Sequence, residues 1–166
     1  MTAPTKFRIE PATENDVPVI LSLIKGLAEY ERLTHEVAAT EKSLRESLFG
    51  AKRVAEVVIG YAGSEPAGFA VFFHNYSTFL GRPGIYLEDL FVVPDWRRRG
   101  LGTQLLSHIA RTAVARKCGR LEWSVLDWNK PAIDFYKKLG AQPMDEWTVY
   151  RVTGNALEKL ASGKAT

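Results

Sequence analysis

Residues Leu87 to Leu106 read LEDLFVVPDWRRRGLGTQLL: two acids inside an apolar run, three consecutive arginines, then two glycines opening an amphipathic stretch. Each group suggests a chemistry. Carboxylates can hold a cation and take a proton from it. Glycines at a helix start suit an anion: the first amides of a helix lack internal partners and carry the positive end of its dipole, and glycine lets the backbone curl close to the charge. Glu88 and Asp89 need a reason to be there, because desolvating an unpaired carboxylate costs several kcal/mol. Strand alternation sends them to opposite faces, with Glu88 on the side of Tyr86, Leu90 and Val92. Either acid could instead lie at a solvated strand end or pair with an arginine.

The glycine pattern alone is weak, since a helix start can carry glycines for packing. It is not a dinucleotide fingerprint, because Leu105 stands where a third glycine would fall, and no Gly-Lys-Ser/Thr follows as in a phosphate loop. A second string, NKPAIDFYKKLGA, places Tyr136 on a short helix. Read locally, Ile133, Tyr136 and Leu139 form a core stripe at helical spacing. His35, His74 and His108 show no metal-ligand spacing, and neither HExxH nor CxxC occurs. Cys118 is the only cysteine, which excludes an intrachain disulfide and reads as a packed thiol. Trp96, Trp123, Trp128 and Trp147 are expected mainly in the core, with the lining of a cleft as the alternative.

The elements that must position these groups follow from periodicity and punctuation. KFRIEPA is a short strand, and Asn15 or Asp16 caps a helix carrying Val17, Ile20, Leu21, Ile24, Leu27 and Ala28. TEKSLRESLFG is a second helix, capped by Thr40 and closed by Gly50. RVAEVVIGYA and AGFAVFFHNY form a hairpin through GSEP, and GIYLEDLFVV is a strand stopped by Pro94. From Gly100, Leu101, Leu105, Ile109 and Ala113 mark a helix. GRLEWSVLD returns to strand, and Asn129 with Pro131 begins a helix that Gly140 stops. EWTVYRV is a last strand and GNALEKLA a closing helix. The class is mixed α/β, one domain over residues 1–166 without repeat or linker.

Bulk properties agree with such a domain. The chain has 166 residues, 46% hydrophobic and 25% charged, enough to bury a core without a metal or a disulfide. The net charge of +3 is dispersed apart from Arg97, Arg98 and Arg99, a cluster that could serve a nucleic acid, a lipid headgroup or a small phosphate ligand. No stripe of interleaved aromatic and basic residues accompanies it, which disfavours nucleic acid. The N-terminus lacks the pattern of a secretory signal, and no apolar run approaches the ~20 residues of a membrane span, so the cytoplasm is the expected location.

The full string is more specific than its parts. RRRGLG after a strand ending in Val-Val-Pro resembles motif A, Arg/Gln-x-x-Gly-x-Gly/Ala, of the GCN5-related N-acetyltransferase (GNAT) superfamily. The resemblance implies a GNAT-like domain: a mixed, mostly antiparallel sheet flanked by helices. It implies pyrophosphate binding of acetyl-coenzyme A by the amides of Arg98, Arg99, Gly100, Leu101, Gly102 and Thr103, and pantetheine contacts from Leu90, Phe91 and Val92. Many members have Gly where this chain has Arg98. N-x-x-A-x-x-F-Y-x-x-x-G resembles motif B, implying that Tyr136 faces the thioester sulfur while Asn129 and Ala132 lie beside the pantetheine. With LIKGLAEYERL, these strings resemble the diamine (spermidine/spermine) acetyltransferases and their thialysine-acetylating relatives over nearly the whole chain. That subfamily implies a homodimer whose cleft draws on both subunits. It implies amine recognition by Tyr30, Glu31, Glu88 and Asp89, with Glu88 as proton acceptor, and it involves no metal. The expected activity is acetyl transfer to a small di- or polyamine or a lysine-like amino acid. A protein amine and an aminoglycoside are the alternatives.

Overall fold

The computed structural model describes residues 6–163. The chain divides into two compact units, Met1–Ser124 and Val125–Thr166. In the first, five strands form one sheet in the order of the chain: β1 (Phe7–Pro11), β2 (Glu56–Ala62), β3 (Glu65–Ser77), β4 (Arg82–Val92) and β5 (Leu121–Trp123). The first three pairings are antiparallel and β4–β5 is parallel, which is the expected mixed, mostly antiparallel sheet. Helices α1 (Val17–Glu31), α2 (Glu41–Phe49) and α3 (Leu101–Ala115) complete the unit.

Strand alternation splits the core in two. Val57, Ile59, Phe69 and Phe91 pack with Ile20 and Leu23 of α1 and Leu48 of α2. The alternate residues Gly60 and Gly68 face α3, where Leu101 lies over them. A Cβ at Gly60 would stand 2.6 Å from Leu101 Cδ1, and one at Gly68 would stand 2.5 Å from the Phe91 carbonyl oxygen. Two missing side chains thus bring the start of α3 down onto the sheet. On the opposite face Gly26 admits the Phe91 ring, 3.0 Å from where its Cβ would be, and sets α1 close against the end of β4.

Local chemistry accounts for the ends of several helices. Thr40 caps α2, with its hydroxyl accepting from the Ser43 amide and Ser43 Oγ accepting from the Thr40 amide. Asp16 precedes α1 as expected, but its carboxylate accepts from the amide and hydroxyl of Thr13 instead of capping the helix. In the second unit, Asn129 caps α4 (Lys130–Lys138) by accepting from the Ala132 amide, and Gly140 follows with φ of 86°. The closing helix α5 spans Gly154–Ala161.

Two expectations fail. EWTVYRV is not a strand: no described segment pairs with residues 146–152, and Val149 and Tyr150 are 82% and 91% exposed. Alternating apolar residues make a strand only where a neighbour supplies the ladder. Nor do the tryptophans build the core: none is fully buried, and Trp128 and Trp147 are exposed. Trp96 shows what a half-buried indole needs instead, since it meets Phe7 edge-on and donates Nε1–H to Glu65.

Candidate functional site

The acids occupy a discontinuity in β4. Leu87 pairs with Phe72 and Asp89 with Val71, so Glu88 is an extra residue with no partner on β3. Such a bulge breaks the pleat. Val71 and Phe72 face opposite sides of the sheet, and so do the residues opposite them: Leu87 is buried on the α3 side, while Asp89 lies on the α1 side. The strict alternation expected for Glu88 and Asp89 therefore does not hold, because it assumes one residue per rung.

The bulge gathers carboxyls. Burial is the main cause that raises the Asp89 pKa, to about 6, and the charges of Glu88 and Glu31 add to it. Burial also raises that of Glu31. Glu31 is the last residue of α1, whose C-terminal carbonyls carry the negative end of the helix dipole, and no basic residue lies in that last turn. Glu88 itself is exposed. Three acids and a helix end thus create a strongly negative locus beside the middle of β4, suited to a small cation.

Beyond the bulge, β4 changes neighbours. β5 accompanies it only along Ile85, Tyr86 and Leu87, so among the described residues the β5-side edge of Leu90, Phe91 and Val92 has no strand beside it. A divergence of this kind leaves main-chain groups able to pair with an extended ligand. The edge leads through a single turn at Pro94–Trp96 into the glycine loop. There Arg98 and Gly100 have left-handed backbones, φ of 59° and 89°, and Gly100 caps α3 without a side-chain acceptor. The amides of Leu101, Gly102 and Thr103, in the first turn, have no intrahelical acceptor. Alternating left-handed residues before a helix start form an anion-binding nest. The residue types also explain the unusual Arg98: its positive φ is a conformation glycine takes most easily.

The three arginines do different things. Arg98 is exposed. Arg99 lies over the Trp96 ring, 5.0 Å from its centroid. Arg97 turns inward, donating Nε–H to the Val92 carbonyl at 2.9 Å and stacking on Tyr30 at 4.5 Å. Sequence reading treated the three as one basic cluster and missed this inward turn, which only the loop's backbone reveals.

The structure thus brings Tyr30, Glu31, Glu88 and Asp89 to the end of α1 and the bulge of β4, next to Leu90–Val92 and the loop of Arg98–Thr103. Asn129, Ala132 and Tyr136 lie on one helix of the second unit. Asn129 Oδ1 is committed to capping α4, and Tyr136, half-buried, has its ring 5.4 Å from that of Phe135. No residue of α4 is fully buried, so the core-stripe reading of Ile133, Tyr136 and Leu139 does not hold.

Comparison with known proteins points the same way. A family model described as Acetyltransferase (GNAT) family matches residues 23–141. The chain is 38% identical to a thialysine N-epsilon-acetyltransferase of Mus musculus, covering 93% of this chain and 96% of that protein. It is 35% identical to an L-ornithine N5-acetyltransferase of Arabidopsis thaliana, covering 96% and 91%. Among solved structures, an integron cassette protein from the mobile metagenome of V.cholerae aligns with a TM-score of 0.79 at 28% identity, covering 93% of this chain and 97% of that one.

Proposed function

Because this chain belongs to the GNAT family of acetyltransferases, we propose that it moves an acetyl group from acetyl-coenzyme A directly to the primary amine of a small di- or polyamine or a lysine-like amino acid. The observation that carries the choice of acceptor is the convergence of Glu31, Glu88 and Asp89 beside β4. The relatives that act on ornithine and thialysine support an acceptor with an alkyl amine. In this reading the whole chain is one catalytic domain. It works in the cytoplasm as a homodimer, as in the subfamily it resembles.

The residues present fit the donor. The left-handed backbones of Arg98 and Gly100 and the first amides of α3, Leu101 to Thr103, form a cradle of donors for a pyrophosphate. The edge of Leu90–Val92 suits the amide-bearing pantetheine arm. Bound there, acetyl-coenzyme A supplies the activated thioester. Since Arg98 acts through its amide in this reading, Arg98→Gly keeps the contact. It also releases a left-handed conformation costing roughly 1 kcal/mol in a non-glycine residue. The variant is expected to be at least as stable in urea as the wild type. Its coenzyme A affinity should stay within about fivefold, the reach of one exposed charge.

The protein's task is then a proton. An alkylamine with a pKa near ~10.4 is protonated at neutral pH, and stripping it costs about 4–5 kcal/mol at pH 7. Carboxylates draw the cation in but also raise its pKa, so attraction alone disarms the nucleophile. Glu88 is the exposed member of the acid group and takes the proton, directly or through water. A main-chain amide near Leu90 polarises the acetyl oxygen, and the Tyr136 hydroxyl donates to the departing sulfur. Asn129 and Ala132 guide the pantetheine arm, and Tyr30 and Glu31 close around the amine. Tyr136→Phe is therefore expected to lower kcat by about 10²-fold with little change in amine KM. An equal loss in kcat and amine affinity would remove Tyr136 from the acid role.

The reading as a whole is tested by following thiol release from acetyl-coenzyme A over putrescine, spermidine, thialysine, L-ornithine, lysine and an aminoglycoside. Rapid turnover with an alkyl diamine or a lysine-like amino acid is the expected result. Activity on the aminoglycoside alone would transfer the acid group to another kind of acceptor.

A further inference from the structure

We propose that Arg97 is a positioning residue that makes amine affinity depend on the state of the glycine loop. Its head group serves two elements at once. Nε–H binds the carbonyl of Val92, the last residue of β4, at 2.9 Å. The guanidinium carbon stands 4.5 Å from the centroid of the Tyr30 ring and 5.6 Å from that of Phe91. Arg97 is partly buried, whereas Arg98 and Arg99 beside it are exposed. A guanidinium spent in this way braces the protein from within and is not aimed at an anion.

The brace joins the two halves of the site. In sequence, Arg97 immediately precedes Arg98, the first left-handed residue of the loop. In space it presses on Tyr30, in the last turn of α1 beside Glu31, and Glu31 in turn acts on Asp89. A change in the loop's backbone displaces the Arg97 head group, and the ring stacked on it must follow. Filling the loop therefore fixes the wall of the amine pocket, and emptying it loosens that wall. This is a coupling between two binding events carried by one side chain, and it must run in both directions. The inference rests on the reading that Tyr30 and Glu31 face the acceptor amine.

Arg97→Gln retains a donor for Val92 and removes the cation from the ring. It is expected to raise KM for L-ornithine and thialysine by about tenfold, the scale of one partly desolvated cation–π contact. kcat and the dissociation constant of coenzyme A, measured by calorimetry, should move less than about threefold. Tyr30→Leu, which also removes the ring from the amine pocket, should raise KM at least as much, and the double variant should lose no more than Tyr30→Leu alone. Arg97→Lys, which keeps a cation over the ring, should recover most of the amine affinity, a rescue that also guards against a fold weakened by Gln. Coenzyme A binding lowered tenfold with amine KM unchanged would make Arg97 a phosphate ligand and overturn the proposal.

A second readout is independent of turnover. In protein labelled with 3-fluorotyrosine, the Tyr30 resonance, assigned by Tyr30→Phe, should shift on adding coenzyme A, and this response should shrink in Arg97→Gln. A signal that ignores both would refute the linkage. A wild type that acetylates neither amine yet shows the shift would retire the amine reading and leave the linkage in place.

Discussion

Glu88→Gln is expected to reduce turnover at pH 7 by about 10²- to 10³-fold and to move the pH–rate profile to alkaline values. With its acceptor gone, the amine must reach the site already neutral, so the rate should climb with pH towards the amine's own pKa of ~10.4. Glu88 is exposed and is the unpaired residue of the bulge, so the substitution leaves the ladder on either side intact. The measurement is kcat/KM for the amine from pH 6 to 10 at saturating acetyl-coenzyme A. An unchanged profile would exclude Glu88 as the proton acceptor.

The second large effect concerns stability. Asp89 holds its proton more tightly in the folded chain, with a pKa of about 6 against the usual 3.8, chiefly because it is buried. Well below pH 3.8 both states are protonated and the group costs nothing. Between pH 4 and 6 the unfolded chain loses its proton first, so folding stability falls as pH rises. Above about pH 6 the full penalty remains, up to about 3 kcal/mol for a gap of this size. Asp89→Asn removes the charge and should match the wild type in urea near pH 3 but exceed it by up to about 3 kcal/mol at pH 8. The same variant should bind the amine more weakly, since the penalty is what a bound cation relieves. Equal stability at both pH values would show that burial does not burden this carboxylate.

These acids also show how far residue types can be read without coordinates. Glycine, proline and capping residues act locally, so the starts of α2 and α4, the helix after Gly100 and the stop at Gly140 were all readable. The alternating apolar pattern identified β2, β3 and β4 for the same reason. What escaped depends on neighbours. Two adjacent acids interrupting an apolar strand were the visible trace of the bulge, but only the pairing of Leu87 with Phe72 and Asp89 with Val71 shows that the phase changes there. Residues 146–152 have the composition of a strand and no described partner. The inward turn of Arg97 follows from backbone angles that no side-chain pattern encodes.

The unpaired residue in β4 has a bearing on redesign. Leu87 and Asp89 occupy adjacent rungs, opposite Phe72 and Val71, and Glu88 is the one residue between them that the opposite strand does not require. Excising Glu88 would cost more than a carboxylate: it would close the ladder into a regular strand, with Asp89 still opposite Val71 on the α1 face but the local kink gone. Acceptor preference can therefore be tuned in two separate ways: swapping side chains at constant length changes the charge and keeps the kink, whereas removing one residue between Leu87 and Asp89 straightens the wall on which the charge is mounted.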